Sequence, residues 1–134
     1  MPSVADIPAS HRDLIDARGT AALTTVDQQG RPQTTAVWYL LRDGELFTSV
    51  TDSRQKYKNL AGNPNCTLFI IDPQNPFRTL EIRAEAELVH DPDKSEVAAI
   101  AIAYGVDPTS IMAVPGERYK VTLSPRRIVV NPPA

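Results

Sequence analysis

The chain has 134 residues, 42% hydrophobic and 22% charged, which is the composition of one globular domain and not of a disordered segment. Lys and Arg number 14 against 16 Asp and Glu, and a net charge of −2 argues against a nucleic-acid coat or a membrane-surface protein, both of which need a basic face. The single cysteine, Cys66, makes no internal disulfide or cysteine-rich metal site, and the longest apolar run, 97–104, is far short of the ~20 residues that span a bilayer.

A reducing, cytoplasmic setting is therefore expected, with no export leader and a single domain over 1–134. Ser10 followed by Asp13 suggests a capping box, with Leu14, Ile15 and Ala17 as the apolar side of a short helix that Gly19 ends. Residues 20–26 are rich in β-branched side chains, 27–30 carry turn chemistry, and 33–41 are strand-like again. Arg42-Asp43-Gly44 makes a second turn before a strand at 45–50. Three strands joined this way predict an antiparallel meander.

Thr51, Asp52 and Ser53 offer cap side chains for a helix over 54–61, ended by Gly62-Asn63-Pro64. A short apolar strand at 66–71 leads to a proline-stiffened loop at 72–76. From 79 to 89 the chain alternates strictly: Leu80, Ile82, Ala84, Ala86 and Leu88 face one way, while Glu81, Arg83, Glu85 and Glu87 face the other. That is a strand with one wet face. Asp91-Pro92 begins a third helix with body 94–104 and end at Gly105, and its alanines allow close approach to a sheet. Strands at 118–123 and 127–130 finish the chain around Ser124-Pro125. Mainly β, with six or more antiparallel strands and about three short helices, the pattern predicts a small barrel whose closure removes strand edges.

The chemistry-bearing motifs are few. Two histidines in different elements and one cysteine give no nucleophilic pair and no zinc spacing, and neither a phosphate loop nor a dinucleotide fingerprint is present. No catalytic side chain and no metal ligand is assigned. The positive signal is the run 51–59, which carries Arg54, Lys56 and Lys58 without an acid between Ser53 and Ile71. With Ser53 as N-cap, Arg54 and Lys56 lie in the first turn, where cations oppose the helix macrodipole. Arg54 and Lys58, four apart, repel at a cost of about 0.2–0.5 kcal/mol. A bound phosphate resolves that conflict, because free N–H groups, hydroxyls and cations converge on its oxygens. A solvated basic helix is the plainer alternative. Val37-Trp38-Tyr39 reads either as core packing or as a wall for a flat ring, and Phe77-Arg78 either as a rigidly presented pair or as part of a plain connection.

Several segments, in order, now make a pattern: Ala21 to Val26, Gly30-Arg31-Pro32-Gln33, Val37-Trp38-Tyr39, Arg54 to Leu60 with Asn63-Pro64, Asp72 to Arg78, and Leu80 to Arg83. Over 21–130 they resemble the split β-barrel flavin and deazaflavin reductases, the pyridoxamine 5′-phosphate oxidase superfamily, and within it the F420-dependent branch. The resemblance implies a homodimer with two cofactor sites at the subunit interface. It implies that Lys56 and Arg54 hold the cofactor phosphate, helped by Ser49, Thr51 and Ser53, and that Val37 and Trp38 line the ring. Phe77 and Arg78 would approach from their loop, across the dimer, and Lys58 and Asn59 would meet the anionic tail of coenzyme F420. The segment has Phe77 where the family usually has Tyr, and no second Tyr near Thr79, which removes contacts on the acceptor side. The implied activity is hydride transfer between reduced F420 and an electron-poor small-molecule acceptor, the cofactor carrying the chemistry. Solvent is the default proton source, with Tyr39 or Arg78 as protein candidates. An FMN enzyme of the same barrel and a non-catalytic cofactor-binding module are the alternatives.

Overall fold

The alternating stretch around residue 80 becomes the spine of the protein in a computed structural model that describes residues 2–134. Seven strands, β1 (Ala21–Val26), β2 (Pro32–Val37), β3 (Leu40–Arg42), β4 (Glu45–Thr51), β5 (Asn65–Asp72), β6 (Asn75–His90) and β7 (Arg118–Asn131), form one antiparallel sheet. Their order is β2-β1-β5-β6-β7-β4-β3, curled into a half-barrel. Leu80, Ile82 and Ala84 of β6 are buried, and Leu23, Leu68 and Val121 from β1, β5 and β7 meet them in the core. The helices are α1 (Arg12–Asp16), α2 (Gln55–Gly62), α3 (Ser95–Ala103) and α4 (Thr109–Met112). Among the described residues no helix is long and apolar enough to cross a membrane.

The expected meander does not form. β1 and β2 are a hairpin at one edge of the sheet and β3 and β4 a hairpin at the other, so the stretch 33–41 is broken at Trp38-Tyr39. The break has a physical cause: Tyr39 turns inward, only 2% exposed, and its hydroxyl donates to the carbonyls of Leu14 at 2.9 Å and Ala17 at 2.6 Å. The chain thereby crosses from the first edge to the last, and the Thr48 hydroxyl donates to the Trp38 carbonyl at 2.6 Å. Asp43 and Gly44 both have positive φ, 52° and 77°, which suits the right-handed twist of the β3–β4 hairpin.

Local starts and stops also differ. Ser10 does not cap α1; its hydroxyl bonds His11 Nδ1 at 2.8 Å, and the capping box is instead Ser3 with Asp6, on a single turn over Val4–Asp6. α1 ends at Asp16, before Gly19. Arg54, not Ser53, is the N-cap of α2, which moves Lys56 from the third helical position to the second. The third helix starts at Ser95 and not at Pro92, because Lys94 adopts φ 60° and the Asp91 carboxylate reaches forward to cap it. The expected loop at 72–76 is a tight hairpin with Asp72 opposite Asn75. β7 runs unbroken through Pro125. The register shifts where Arg83 pairs Arg127 and Ala84 pairs Pro125, so Arg126 is bulged out. Proline fits beside such an irregularity, on a stretch that β4, ending its pairing at Leu123, leaves uncovered.

Candidate cofactor-binding site

Because the sheet is curled, β2 at one edge comes to face β4 near the other, and a cleft lies between them. Two lobes share Ala36, Ser49, Lys56, Ile111 and Arg118 as common walls. The first, about 390 Å³, is mainly apolar, with Val37, Trp38, Val97 and Ile100 around it. The second, about 510 Å³, is lined by Thr35, Thr51, Arg54 and Gln55 at the start of α2. Both volumes fall within the range of small-molecule sites, which are apolar clefts with a few convergent polar groups.

The apolar lobe is rigidly framed. Trp38 stacks on Tyr104 with ring centroids 4.5 Å apart and 12° between planes. Tyr104 is itself held at its hydroxyl, which donates to the Gly19 carbonyl at 2.8 Å and accepts from the Tyr39 N–H at 3.2 Å. α3 and α4 complete the wall. Val97, Ile100 and Ala101 of α3 are buried, and Gly105, at φ 73°, ends that helix and turns the chain toward Ile111 on α4.

The polar lobe is a concentration of cations. Lys56 is half-buried and its ammonium donates only to the Thr35 hydroxyl, at 3.3 Å. Burial first, then Arg54 and Arg118, hold its pKa below the ordinary lysine value. Arg118 is 9% exposed, and its Nη1 donates to Ser49 Oγ at 3.3 Å while its buried Nε has no partner. Burial and Arg54 lower its pKa as well, against the opposing pull of Asp91. Among the described residues none of Arg54, Lys56 and Arg118 has a carboxylate oxygen within 4.0 Å. Thr51 lines this lobe, and its hydroxyl lies 3.2 Å from that of Ser53. This lobe is suited to an anion.

Of the residues singled out in the sequence, Val37, Trp38, Ser49, Thr51, Arg54 and Lys56 line this cleft, with Ser53 beside it. Lys58 and Asn59 instead border a second polar cleft, with Asp27, Gln28, Gln29 and Arg31 around it. Asn59 is 4% exposed and its amide is consumed by the protein, donating to Thr25 Oγ1 at 3.0 Å and accepting from Gln55 at 2.8 Å. Phe77 is 79% exposed on the β5–β6 hairpin, and neither it nor Arg78 borders the cleft within one chain. Arg78 is tied to Asp13, to Asp72 at 3.1 Å and to the Ser10 carbonyl. The Tyr39 hydroxyl is bonded to the Leu14 and Ala17 carbonyls and Arg78 to Asp13 and Asp72, and neither residue lines the cleft of its own chain. Sequence reasoning did not find Arg118 or Ile111. Arg118 merely opens a strand, and α4 is four residues with no buried side chain.

The Arg78 cluster gives a pH expectation. Its hydrogen bond lowers the Asp13 pKa; the Gln74 N–H and then Arg78 lower that of Asp72. A carboxyl with a depressed folded-state pKa stabilises fully above its unfolded value, and that contribution is lost as pH falls through the folded value. Wild type and Arg78→Ala should therefore differ in urea midpoint at about pH 6, and the difference should shrink as pH falls below about 4, the ordinary Asp value. A difference that persists undiminished at low pH would show that Arg78 acts through packing.

Residues 7–128 match the family described as Pyridoxamine 5'-phosphate oxidase. No curated protein matches the sequence. Among solved structures, an F420 reductase is 29% identical with TM-score 0.81, the match covering 92% of this chain and 98% of that one. A conserved hypothetical protein from Mycobacterium tuberculosis is 24% identical with TM-score 0.76, covering 97% and 89%. The heme storage protein HutZ from Vibrio cholerae is 20% identical with TM-score 0.71, covering 90% and 92%. The latter two show the fold alone. Strand order, cleft and family match agree on a fold that serves flavin-type cofactors, and the chain belongs to the pyridoxamine 5′-phosphate oxidase family.

Proposed function

We propose that the protein is an F420-dependent oxidoreductase that passes a hydride between the reduced deazaflavin and an electron-poor small-molecule acceptor. The observation that carries this reading is the half-buried Lys56, repelled by Arg54 and Arg118 with no carboxylate within 4.0 Å to balance them, where the polar and apolar lobes of the cleft meet. A ligand with an anionic group at one end and a flat ring at the other matches that layout. Lys56 and Arg54 would hold the phosphate with the Ser49, Thr51 and Ser53 hydroxyls, and Val37 with Trp38 would line the ring. Lys58 lies near a second polar cleft on α2, which favours a ligand whose anionic chain continues past the phosphate. Coenzyme F420, when bound, supplies the hydride chemistry at its ring. The chain's own part is to bind, orient and exclude water, and protons come from solvent. In this reading the protein is a cytoplasmic homodimer, and Phe77 and Arg78 approach the site of the partner subunit.

Heme is disfavoured because no histidine borders the cleft: His11 is buried with Nε2 on the Asn131 carbonyl at 3.0 Å, and His90 faces Glu117 at 3.3 Å. Parallel titrations with F420 and FMN, followed by stopped-flow mixing of reduced F420 with candidate acceptors, test the proposal. Tighter binding of F420 and acceptor-dependent oxidation are expected. Protein that purifies yellow with firmly held FMN would move the assignment to a flavin enzyme, and binding without oxidation of any acceptor would make it a carrier.

A further inference from the structure

We infer that Arg118, far from α2 in sequence, is the innermost anion-binding residue of the cleft and grips a phosphate oxygen of the ligand together with Lys56. This rests on the reading above that the cleft takes an organic phosphate. A guanidinium presents five N–H donors in a fixed fork, and its burial is ordinarily matched by a carboxylate or by several carbonyls. Arg118 is 9% exposed, yet its side chain makes one hydrogen bond, the 3.3 Å contact from Nη1 to the Ser49 hydroxyl, and its Nε–H meets no acceptor at all. The nearest charge influences on it are Arg54, which repels, and Asp91, whose carboxylate is already engaged with the N–H groups of Glu96 and Val97. The protein alone thus gives the five donors of a buried guanidinium one hydrogen bond, in a residue that stands at a wall shared by the polar and apolar lobes. An anion seated between the start of α2 and the first residue of β7 would use those donors and relieve three mutually repelling cations together. Lys56 supplies a point charge, and Arg118 adds the planar fork that fits a phosphate.

The test compares wild type, Arg118→Met and Arg118→Lys in titrations with inorganic phosphate, FMN and F420, alongside the melting temperature of each unliganded protein. The Met variant should lose roughly 10- to 100-fold in affinity for whichever phosphate ligand the wild type binds, the size expected for a charge-assisted hydrogen bond. Lys should recover part of it. Without ligand the Met variant should melt no lower than wild type, since the backbone pairing of Arg118 with Thr51 and its carbonyl bond to the Asp91 N–H are untouched. In ¹⁵N-labelled wild type, the Arg118 Nε–H resonance should shift when the ligand is added, which needs no folded variant. Full affinity in Arg118→Met, or an Nε–H resonance unmoved at saturation, would overturn the assignment of Arg118 while leaving the F420 reading standing. Phosphate or FMN binding that depends on Arg118 in a protein that ignores F420 supports the anion site and sinks the F420 reading. A wild type that binds none of the three overturns both.

Discussion

Lys56→Ala is expected to weaken F420 binding by roughly 10- to 100-fold, corresponding to about 1.5–3 kcal/mol for a hydrogen bond to a charged group. The effect should be specific to the liganded state. In the free protein the ammonium gives one long hydrogen bond to Thr35 and is otherwise opposed by burial, Arg54 and Arg118, so its loss removes little that stabilises the fold. The pH dependence follows with a definite sign. Lys56 holds its charge below its pKa, and that pKa lies under the usual 10.5. Anion affinity should therefore fall as pH rises through this lowered value, earlier than an exposed lysine would allow, and binding of the anion should draw a proton onto the fraction that is neutral. Isothermal titration across alkaline pH, on folded wild type and variant, checks both statements. Equal affinity in the two proteins would remove Lys56 from the site, and an affinity drop matched by a lower melting temperature would assign it a structural role.

The parts of this molecule that could be read from sequence are those whose cause is local. Strict alternation from Leu80 to Leu88 set one face of β6 against the core because strand side chains have a period of two. The cations of α2 were conspicuous because they violate the preference of a helix start for acids, and two of them do line the cleft. What escaped was non-local. No window of sequence states that β2 and β3, three residues apart, lie at opposite edges of a seven-stranded sheet; the inward turn of Tyr39 onto the Leu14 and Ala17 carbonyls decides it. Arg118 gains its meaning only when β7 is laid beside β4, and the contact of Asn59 with Thr25 appears only when α2 is packed on β1. Pro125 looked like a strand terminator, yet a one-residue bulge absorbs it. Ser53 and Ser10 are plausible caps by residue type, yet α2 and α1 have no side-chain cap, and the side chains of Asp91 and Ser3 cap other elements.

Asp91→Ala should destabilise the protein by about 1–3 kcal/mol, the range for stripping the acceptor from buried N–H groups at a helix start. Asp91 is 3% exposed at the end of β6, and its carboxylate accepts from the Glu96 N–H at 3.1 Å and the Val97 N–H at 3.3 Å. Lys94, at the N-cap position, offers α3 no side-chain acceptor, and Asp93 accepts only from the Ser95 N–H at 3.2 Å, so the Glu96 and Val97 N–H groups lose their acceptor with Asp91. The negative charge also lies at the positive end of the α3 dipole. Loosening this turn reaches the cleft by two routes: Val97 and Ile100 of α3 line the apolar lobe, and the Asp91 N–H donates at 2.9 Å to the Arg118 carbonyl. Cofactor affinity should accordingly fall along with stability, and Asp91→Asn, which keeps one acceptor oxygen but not the charge, should fall between alanine and wild type in both. Urea unfolding and cofactor titration on the three proteins measure this. Destabilisation with unchanged affinity would mean that the wall built by α3 does not touch the ligand, and would confine the site to β2, β4 and the start of α2.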